Sequence, residues 1–277
     1  MGRVSGKVVF ITGAARGQGR SHAVRLAEEG ADIIAVDLCD DVPEMAYPGG
    51  TREELDETVR LVERTGRRIV AQQADVRDFA QLQQAVDAGV AELGRLDVVV
   101  ANAGVLTAIG PFDQMSEAAF TDLVDINLTG VWRTVKAAMP HLRAGGPGGS
   151  IILTSSSAGI RASRSTAHYV ASKFGVVGLM RAMALELGPE MIRVNSVNPA
   201  QVDTPMIQND FMYRRACPDV ESPGREELAA ASLSRMAMPI PWVDSAEVSH
   251  AVVFLASDES RYVTGLAMTV DGGISIS

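Results

Sequence analysis

Apolar positions along the chain follow two alternating patterns. Runs of five or six residues, mostly β-branched and apolar on both faces, come at 7–11 (KVVFI), 32–36 (DIIAV), 68–72 (RIVAQ), 96–101 (LDVVVA), 150–154 (SIILT), 192–197 (IRVNSV) and 266–270 (LAMTV). Such runs predict strands of a parallel sheet that is covered on both sides. The stretches between them, for instance RSHAVRLAEEG and AQLQQAVDAGVAEL, carry apolar residues at helical spacing. Repeated strand–helix–strand units predict an α/β fold with a doubly wound parallel sheet of seven strands and right-handed crossovers. With no internal repeat and no linker, residues 1–277 read as one domain.

Two segments break the rhythm. Residues 38–50 (LCDDVPEMAYPGG) stand between the second strand and the next helix, where a few residues normally suffice. Residues 206–243, rich in Met, Pro and aromatic side chains, form a long insertion before the last helix and strand. Met206, Ile207, Phe211, Met212 and Tyr213 are expected in a lid, where flexible methionines suit a bulky apolar ligand; packing in the core or against another subunit is the competing role.

The loop ITGAARGQGRSHA follows the first strand and opens a helix, with Gly13, Gly17 and Gly19 spaced G-x-x-x-G-x-G. Glycines permit a tight turn and close backbone approach to a pyrophosphate, and the helix N-terminus favours its charge. Asp37, ending the second strand, stands where an acid bonds the adenosine ribose hydroxyls and repels a 2′-phosphate, so NAD is expected over NADP. Asp75 and Val76 end the third strand, and Asn102, Ala103 and Gly104 the fourth. These are carboxyl ends of strands, where open α/β sheets bind ligands, and together they predict a Rossmann-type dinucleotide site.

Composition narrows the partners. A net charge of -9 disfavours nucleic acid, and no apolar run approaches the roughly 18 residues of a membrane span. The N-terminus runs into an apolar strand without a signal-peptide pattern, and two cysteines, Cys39 and Cys217, suggest no disulfide framework; a cytoplasmic location is expected. His22, His141, His168 and His250 are scattered without ligand spacing, so no metal is expected and all four read as structural.

In TAHYVASKFG, Tyr169 and Lys173 stand one helical turn apart, on one face. Bringing a phenol from a pKa of ~10 to ~7 requires about 4 kcal/mol in favour of phenolate. A cation at roughly 4 Å supplies about 4 kcal/mol at an effective dielectric of 20, so lysine alone is of the right size.

Taken in order, TGAARGQG, Asp37, DV, NAG, the Asn127 of DINLTG, SSSAG, YVASK and NPAQVDTPM resemble the short-chain dehydrogenase/reductase family over nearly the whole chain. Ala101 departs from the family, where many members carry a second asparagine, and so does Ala200, where glycine commonly follows the proline. The resemblance implies catalysis by Asn127, Ser156, Tyr169 and Lys173. Tyr169 would exchange the hydroxyl proton while hydride passes to nicotinamide, and Lys173 would lower the phenol pKa and bond the ribose. Ser156 would orient the oxygen. Asn127 would break its helix and hold a water beside Lys173. Cofactor contacts are implied for Gly13, Arg16, Gly17, Gln18, Gly19, Asp37, Leu38, Asp75, Val76, Asn102, Ala103, Gly104, Thr154, Tyr169, Lys173, Pro199, Val202 and Thr204. Family members are usually homotetramers.

The 38–50 insertion is similar to that of a narrower subgroup, the mycofactocin-coupled, carveol dehydrogenase-like enzymes. It implies a hydrophobic secondary alcohol or ketone, carveol-like or steroid-like, a tightly held NAD, and a redox peptide as acceptor. Val42, Met45 and Tyr47 are expected to fold over the adenine. Two other functions remain open: a 3-oxoacyl thioester reductase, against which Asp37 speaks, and a non-catalytic redox sensor, against which the intact Ser156, Tyr169 and Lys173 speak.

Overall fold

A computed structural model describes residues 2–277. The expected strands form within one or two residues of their anticipated ends: β1 (Val8–Thr12), β2 (Asp32–Asp37), β3 (Ile69–Gln73), β4 (Val98–Ala101), β5 (Ser150–Thr154), β6 (Arg193–Pro199) and β7 (Ala267–Val270). They pair in parallel in the order β3-β2-β1-β4-β5-β6-β7. The direction of winding reverses between β1 and β4, which opens a crevice at the carboxyl ends of those strands.

Alternate residues of the strands feed two cores, because successive side chains point to opposite faces. On one face Val8, Phe10, Ile34, Val99 and Leu153 pack against α3 (Phe79–Leu93), α5 (Gly130–Ala144) and α6 (Ala167–Leu187). On the other, Val9, Ile11, Ile33, Val100 and Ile152 pack against α1 (Gly17–Glu28), α2 (Arg52–Glu63) and α9 (Ser245–Ala256). Of the expected structural histidines, His22 is wholly buried and bonds Ser249 Oγ through Nδ1 at 2.8 Å; burial pushes its pKa down to about 3. Both cysteines are free, and no helix of the described residues is long and apolar enough to cross a membrane.

Helix starts differ in a way that matters for the crevice. Thr51 and Glu54 form a capping box on α2, and the Asp78 carboxylate accepts from two N–H groups of α3. Helix α1 follows Arg16 with no side-chain cap and no acid in its first turn. Its leading N–H groups are therefore open to an anion.

Two departures from expectation stand out. Asn127 does not break its helix: α4 (Glu117–Val124) runs through a π-helical turn at Asp125–Thr129 directly into α5. The wider turn admits an amide without ending the helix. The 38–50 insertion also goes elsewhere than over the adenine alone. Cys39 and Glu44 adopt left-handed backbone, with φ of 52° and 61°, and turn the chain along the crevice. Met45 then pairs antiparallel with Thr107 in the loop after β4, and Ala108 N–H donates to the Glu44 carbonyl at 3.4 Å. The insertion is a strap from the end of β2 to the loop beyond β4. The second insertion folds into α7 (Asp210–Ala216) and α8 (Arg225–Leu233).

Candidate active site

The glycine loop builds one end of the crevice. Gly13 and Gly17 have φ of 70° and 53°, which L side chains rarely adopt. A Cβ on Gly19 would lie 1.9 Å from the Gly13 carbonyl oxygen, so only glycine lets the loop close on the helix start. Thr12 Oγ1 accepts from the N–H groups of Asn102 and Ala103, both at 3.1 Å, and Asn102 Nδ2 donates to the Thr12 carbonyl at 3.0 Å. The ends of β1 and β4 are thereby fixed to each other. Thr12 was absent from the sequence-derived set, although it directly precedes Gly13.

The two acids at this end are held by local partners. Asp37 accepts from Ala15 N–H at 2.9 Å and from Cys39 N–H at 3.1 Å. Burial works to raise the Asp75 carboxyl, but bonds from the Arg77 side chain, at 2.6–3.0 Å, and its backbone N–H, with the charges of Arg77 and Arg133, together outweigh it and hold the carboxyl below its ordinary range. Arg77, two residues past Asp75, is a second residue that sequence reasoning passed over.

The strap closes over this loop. Arg16 donates through Nη2 to the Pro48 carbonyl, lies 3.7 Å from Glu54, and places its guanidinium over the Tyr47 ring, 5.9 Å from the centroid. Tyr47 Oη accepts from Leu106 N–H at 3.3 Å.

The other end of the crevice comes from β5, α6 and the π-helical turn. Lys173, buried, donates from Nζ to the Thr154 carbonyl at 2.9 Å and stands 5.5 Å from the centre of the Tyr169 ring. Asn127 is wholly buried, and its amide exchanges two 2.8 Å bonds with the backbone of Val105. Its side chain fixes the loop after β4 beside Lys173, since a Cβ on Gly104 would lie 3.3 Å from Asn127 Oδ1 and 3.5 Å from Lys173 Nζ. Ser156 Oγ accepts from Ala158 N–H at 3.1 Å and donates to the Pro199 carbonyl at 3.4 Å.

Protonation at this end departs from the simple pair arithmetic. Burial raises the Tyr169 phenol, and the neighbouring Ser156 hydroxyl draws it back only in part. Burial also lowers Lys173, to about 8. Near neutral pH the lysine still carries most of its charge. A further positive charge in the crevice would favour the phenolate against the cost of burial.

One elongated cavity gathers the glycine loop, Asp37, Asp75, Gly104, Thr154, Tyr169, Lys173 and Thr204, with Arg16, Gln18, Leu38, Val76, Asn102 and Ala103 in its walls. Asn127, Ser156, Pro199 and Val202 do not line it. Val202 is buried in a bridge with Val243, and Pro199 ends β6 behind Ser156. A second chamber of about 280 Å³ adjoins it; Tyr47 and Met206 belong to the walls of both. Of the expected lid residues Met206, Phe211 and Met212 face that chamber, while Ile207 is buried and Tyr213 bonds Gln208 at 3.1 Å. His168 is tied to the same region: its Nε2 lies 2.9 Å from the Thr107 carbonyl.

The crevice fits a dinucleotide on its own features. The start of α1 is uncapped, Gly13 and Gly19 fold the loop so tightly that a Cβ on either would strike backbone, and Gln18 Oε1 is buried at the loop without a partner.

Comparison with known proteins agrees. A family model described as enoyl-(acyl carrier protein) reductase matches residues 13–275. The chain is 57% identical over 273 residues to a putative short-chain type dehydrogenase/reductase of Mycolicibacterium smegmatis, covering 98% of each. It is 53% identical to a (-)-trans-carveol dehydrogenase of Rhodococcus erythropolis over 100% of both chains. A crystal structure of carveol dehydrogenase from Mycobacterium avium in complex with NAD superposes with a TM-score of 0.99 at 57% identity, each chain fully covered.

Proposed function

The chain belongs to the short-chain dehydrogenase/reductase family, and we propose that it oxidises a compact, apolar secondary alcohol on an NAD that it retains between turnovers. It is an NAD-dependent alcohol dehydrogenase. The observation that carries this reading is the junction of the two cavities: Tyr169 and Lys173 stand in the dinucleotide crevice, where an apolar chamber opens beside it past Met206 and Tyr47.

Bound NAD supplies a hydride acceptor and, when oxidised, a positive charge at the catalytic end. The chain's own residues do the rest. Gly13, Gly17, Gly19 and the uncapped start of α1 receive the pyrophosphate, with Arg16 and Gln18 beside it. Asp37 and Leu38 hold the adenosine ribose, Asp75 and Val76 the adenine, and Asn102, Ala103 and Gly104 the middle of the cofactor. Thr154 and Thr204, which line the crevice, would frame the nicotinamide, with Pro199 and Val202 behind them. Tyr169 takes the substrate's hydroxyl proton, Ser156 orients the oxygen, and Lys173 bonds ribose and favours phenolate. Asn127 holds the Val105 backbone and, through it, the wall beside Lys173.

The chamber's volume lies at the low end of ordinary ligand pockets, about 300–1,000 Å³, which favours a monocyclic, carveol-sized body over a steroid. Retention is supported by the strap. The Arg16–Pro48 bond, the Met45–Thr107 pairing and the Tyr47–Leu106 bond hold the strap along the crevice, and lifting the strap would break them. Each ~1.4 kcal/mol of that cost slows release about tenfold. A retained cofactor needs a reoxidant that comes to it, and a redox peptide of the mycofactocin kind meets that need. The apolar residues Phe120, Trp132 and Phe174, partly exposed on α4, α5 and α6, support contact between copies of the chain in a homotetramer.

The test is to incubate purified protein with isotope-labelled NAD, follow the bound pool by mass spectrometry, and assay a panel of cyclic secondary alcohols with an artificial electron acceptor. Oxidation of monocyclic alcohols with slow label exchange is expected. Full exchange within seconds removes retention; no oxidation of any alcohol removes the activity.

A further inference from the structure

Tyr47 belongs to no catalytic motif, yet it stands in the wall shared by the crevice and the chamber. Its hydroxyl oxygen accepts from Leu106 N–H, and no residue of the described chain accepts the Tyr47 proton. The chamber around it is otherwise poor in free donors. Leu106, Ile109, Met206, Phe211 and Met212 are apolar. Asn209 uses its amide fully within the lid: Oδ1 accepts from Met212 N–H, and Nδ2 donates to the carbonyls of Pro205 and Met206. The buried Thr107 hydroxyl turns to His168, at 3.5 Å. Glu44 offers only a carboxylate, which accepts. The Tyr47 hydroxyl is the donor left over.

We propose that Tyr47 reads a second oxygen on the substrate: its hydroxyl donates to a carbonyl, ether or hydroxyl oxygen remote from the carbon that Tyr169 oxidises. The proposal rests on the alcohol-oxidation reading above and extends it to substrate class. The reacting oxygen already has Tyr169 and Ser156, whereas Tyr47 reaches the chamber where the body of the substrate lies. Burial pushes the Tyr47 phenol up to about 12, so it stays a donor throughout the working pH range. The Leu106 bond fixes the hydroxyl's position, which leaves its proton to be taken by whatever fills the chamber.

A substrate with an acceptor oxygen at that point satisfies the phenol; a purely hydrocarbon body of the same size displaces water and leaves the donor unpaired. Discrimination of roughly ten- to hundredfold in kcat/KM is expected, from the ~1–3 kcal/mol cost of an unsatisfied buried group.

The experiment uses the holoenzyme, an artificial electron acceptor, and isosteric alcohol pairs: 4-methoxycyclohexanol against 4-ethylcyclohexanol, and the corresponding 3-substituted pair. Wild type is expected to favour the methoxy member of at least one pair by about tenfold or more. Tyr47→Phe should bring that ratio to within about twofold of unity while the pH profile keeps its shape. Tyr47→Leu is read by the same ratio, which is internal to each protein and indifferent to how much of it is active. A wild-type ratio near one in both pairs, or a ratio that survives in both variants, overturns the role of Tyr47 and leaves the dehydrogenase reading intact. Oxidation of none of the four alcohols by wild type overturns the monocyclic-substrate reading on which the proposal rests, and the proposal with it.

Discussion

The two ends of the crevice treat their ionisable groups in opposite ways. At the adenosine end two backbone N–H groups position Asp37, and Arg77 clasps Asp75 and keeps its carboxyl below the ordinary range. At the catalytic end burial works against charge, lifting Tyr169 and pressing Lys173 down to about 8. Binding calls for fixed charges with partners. Proton transfer calls for groups whose two protonation states are close in free energy; desolvation brings Lys173 toward that balance and moves the phenol away from it, so the phenol depends on the positive charges beside it.

The sharpest way to separate the ends is Tyr169→Phe. It should cut turnover at least about a thousandfold, within the ordinary range of general acid–base catalysis, while NAD binding holds. Single-turnover reduction of bound NAD and a nucleotide titration read the two effects; a tenth of wild-type rate in the variant would show that the phenol is not the base. Asp37→Ala attacks the other end. It should weaken NAD binding by about ten- to hundredfold, through loss of charge-assisted bonds, and narrow the preference for NAD over NADP. Tighter binding of NADP than NAD by the unaltered protein would remove Asp37 from that role.

A subtler test uses pH. Lys173 takes up its proton at about 8 in the fold and near 10.5 when unfolded, so between those values the unfolded chain binds more protons. The cofactor-free protein should therefore gain stability as pH rises through that window, by up to about 1.4 kcal/mol per unit from this group. Denaturant melts at pH 7.5 and 9.5 should show a smaller gain in Lys173→Met than in wild type; equal gains would contradict the buried, lowered lysine. The smallest effect belongs to Arg77→Ala. Freed of its partner, Asp75 remains a carboxylate at neutral pH but is less well positioned, and about threefold weaker NAD binding is expected by calorimetry. A loss as large as that of Asp37→Ala would make Arg77 a direct ligand.

What the sequence revealed of this site follows from the reach of each signal. Strands and rim residues are local: KVVFI is apolar on both faces, and Gly13 or Asp37 sits at a strand end that the same few residues define. The destination of the strap depends on Met45 meeting Thr107, a pairing between distant segments that no local pattern encodes. The Asn127 turn depends likewise on the Val105 backbone. The protonation balance was hardest to foresee, because desolvation of Tyr169 and Lys173 sums over everything packed around them, while the motif supplies only their spacing.

The π-helical turn at Asp125–Thr129 has a consequence for which changes of length the chain tolerates. A π turn holds about one residue more than an α turn, so it absorbs an extra residue: removing one here would restore ordinary α geometry and leave α5 facing as it does, with Val131 and Val135 against the sheet. A deletion within the regular turns of α5, by contrast, advances every later residue by about 100° and re-aims it. A scan of single-residue deletions should find the chain more forgiving at Leu128 or Thr129, within the π turn, than at Thr134 or Ala138 inside α5.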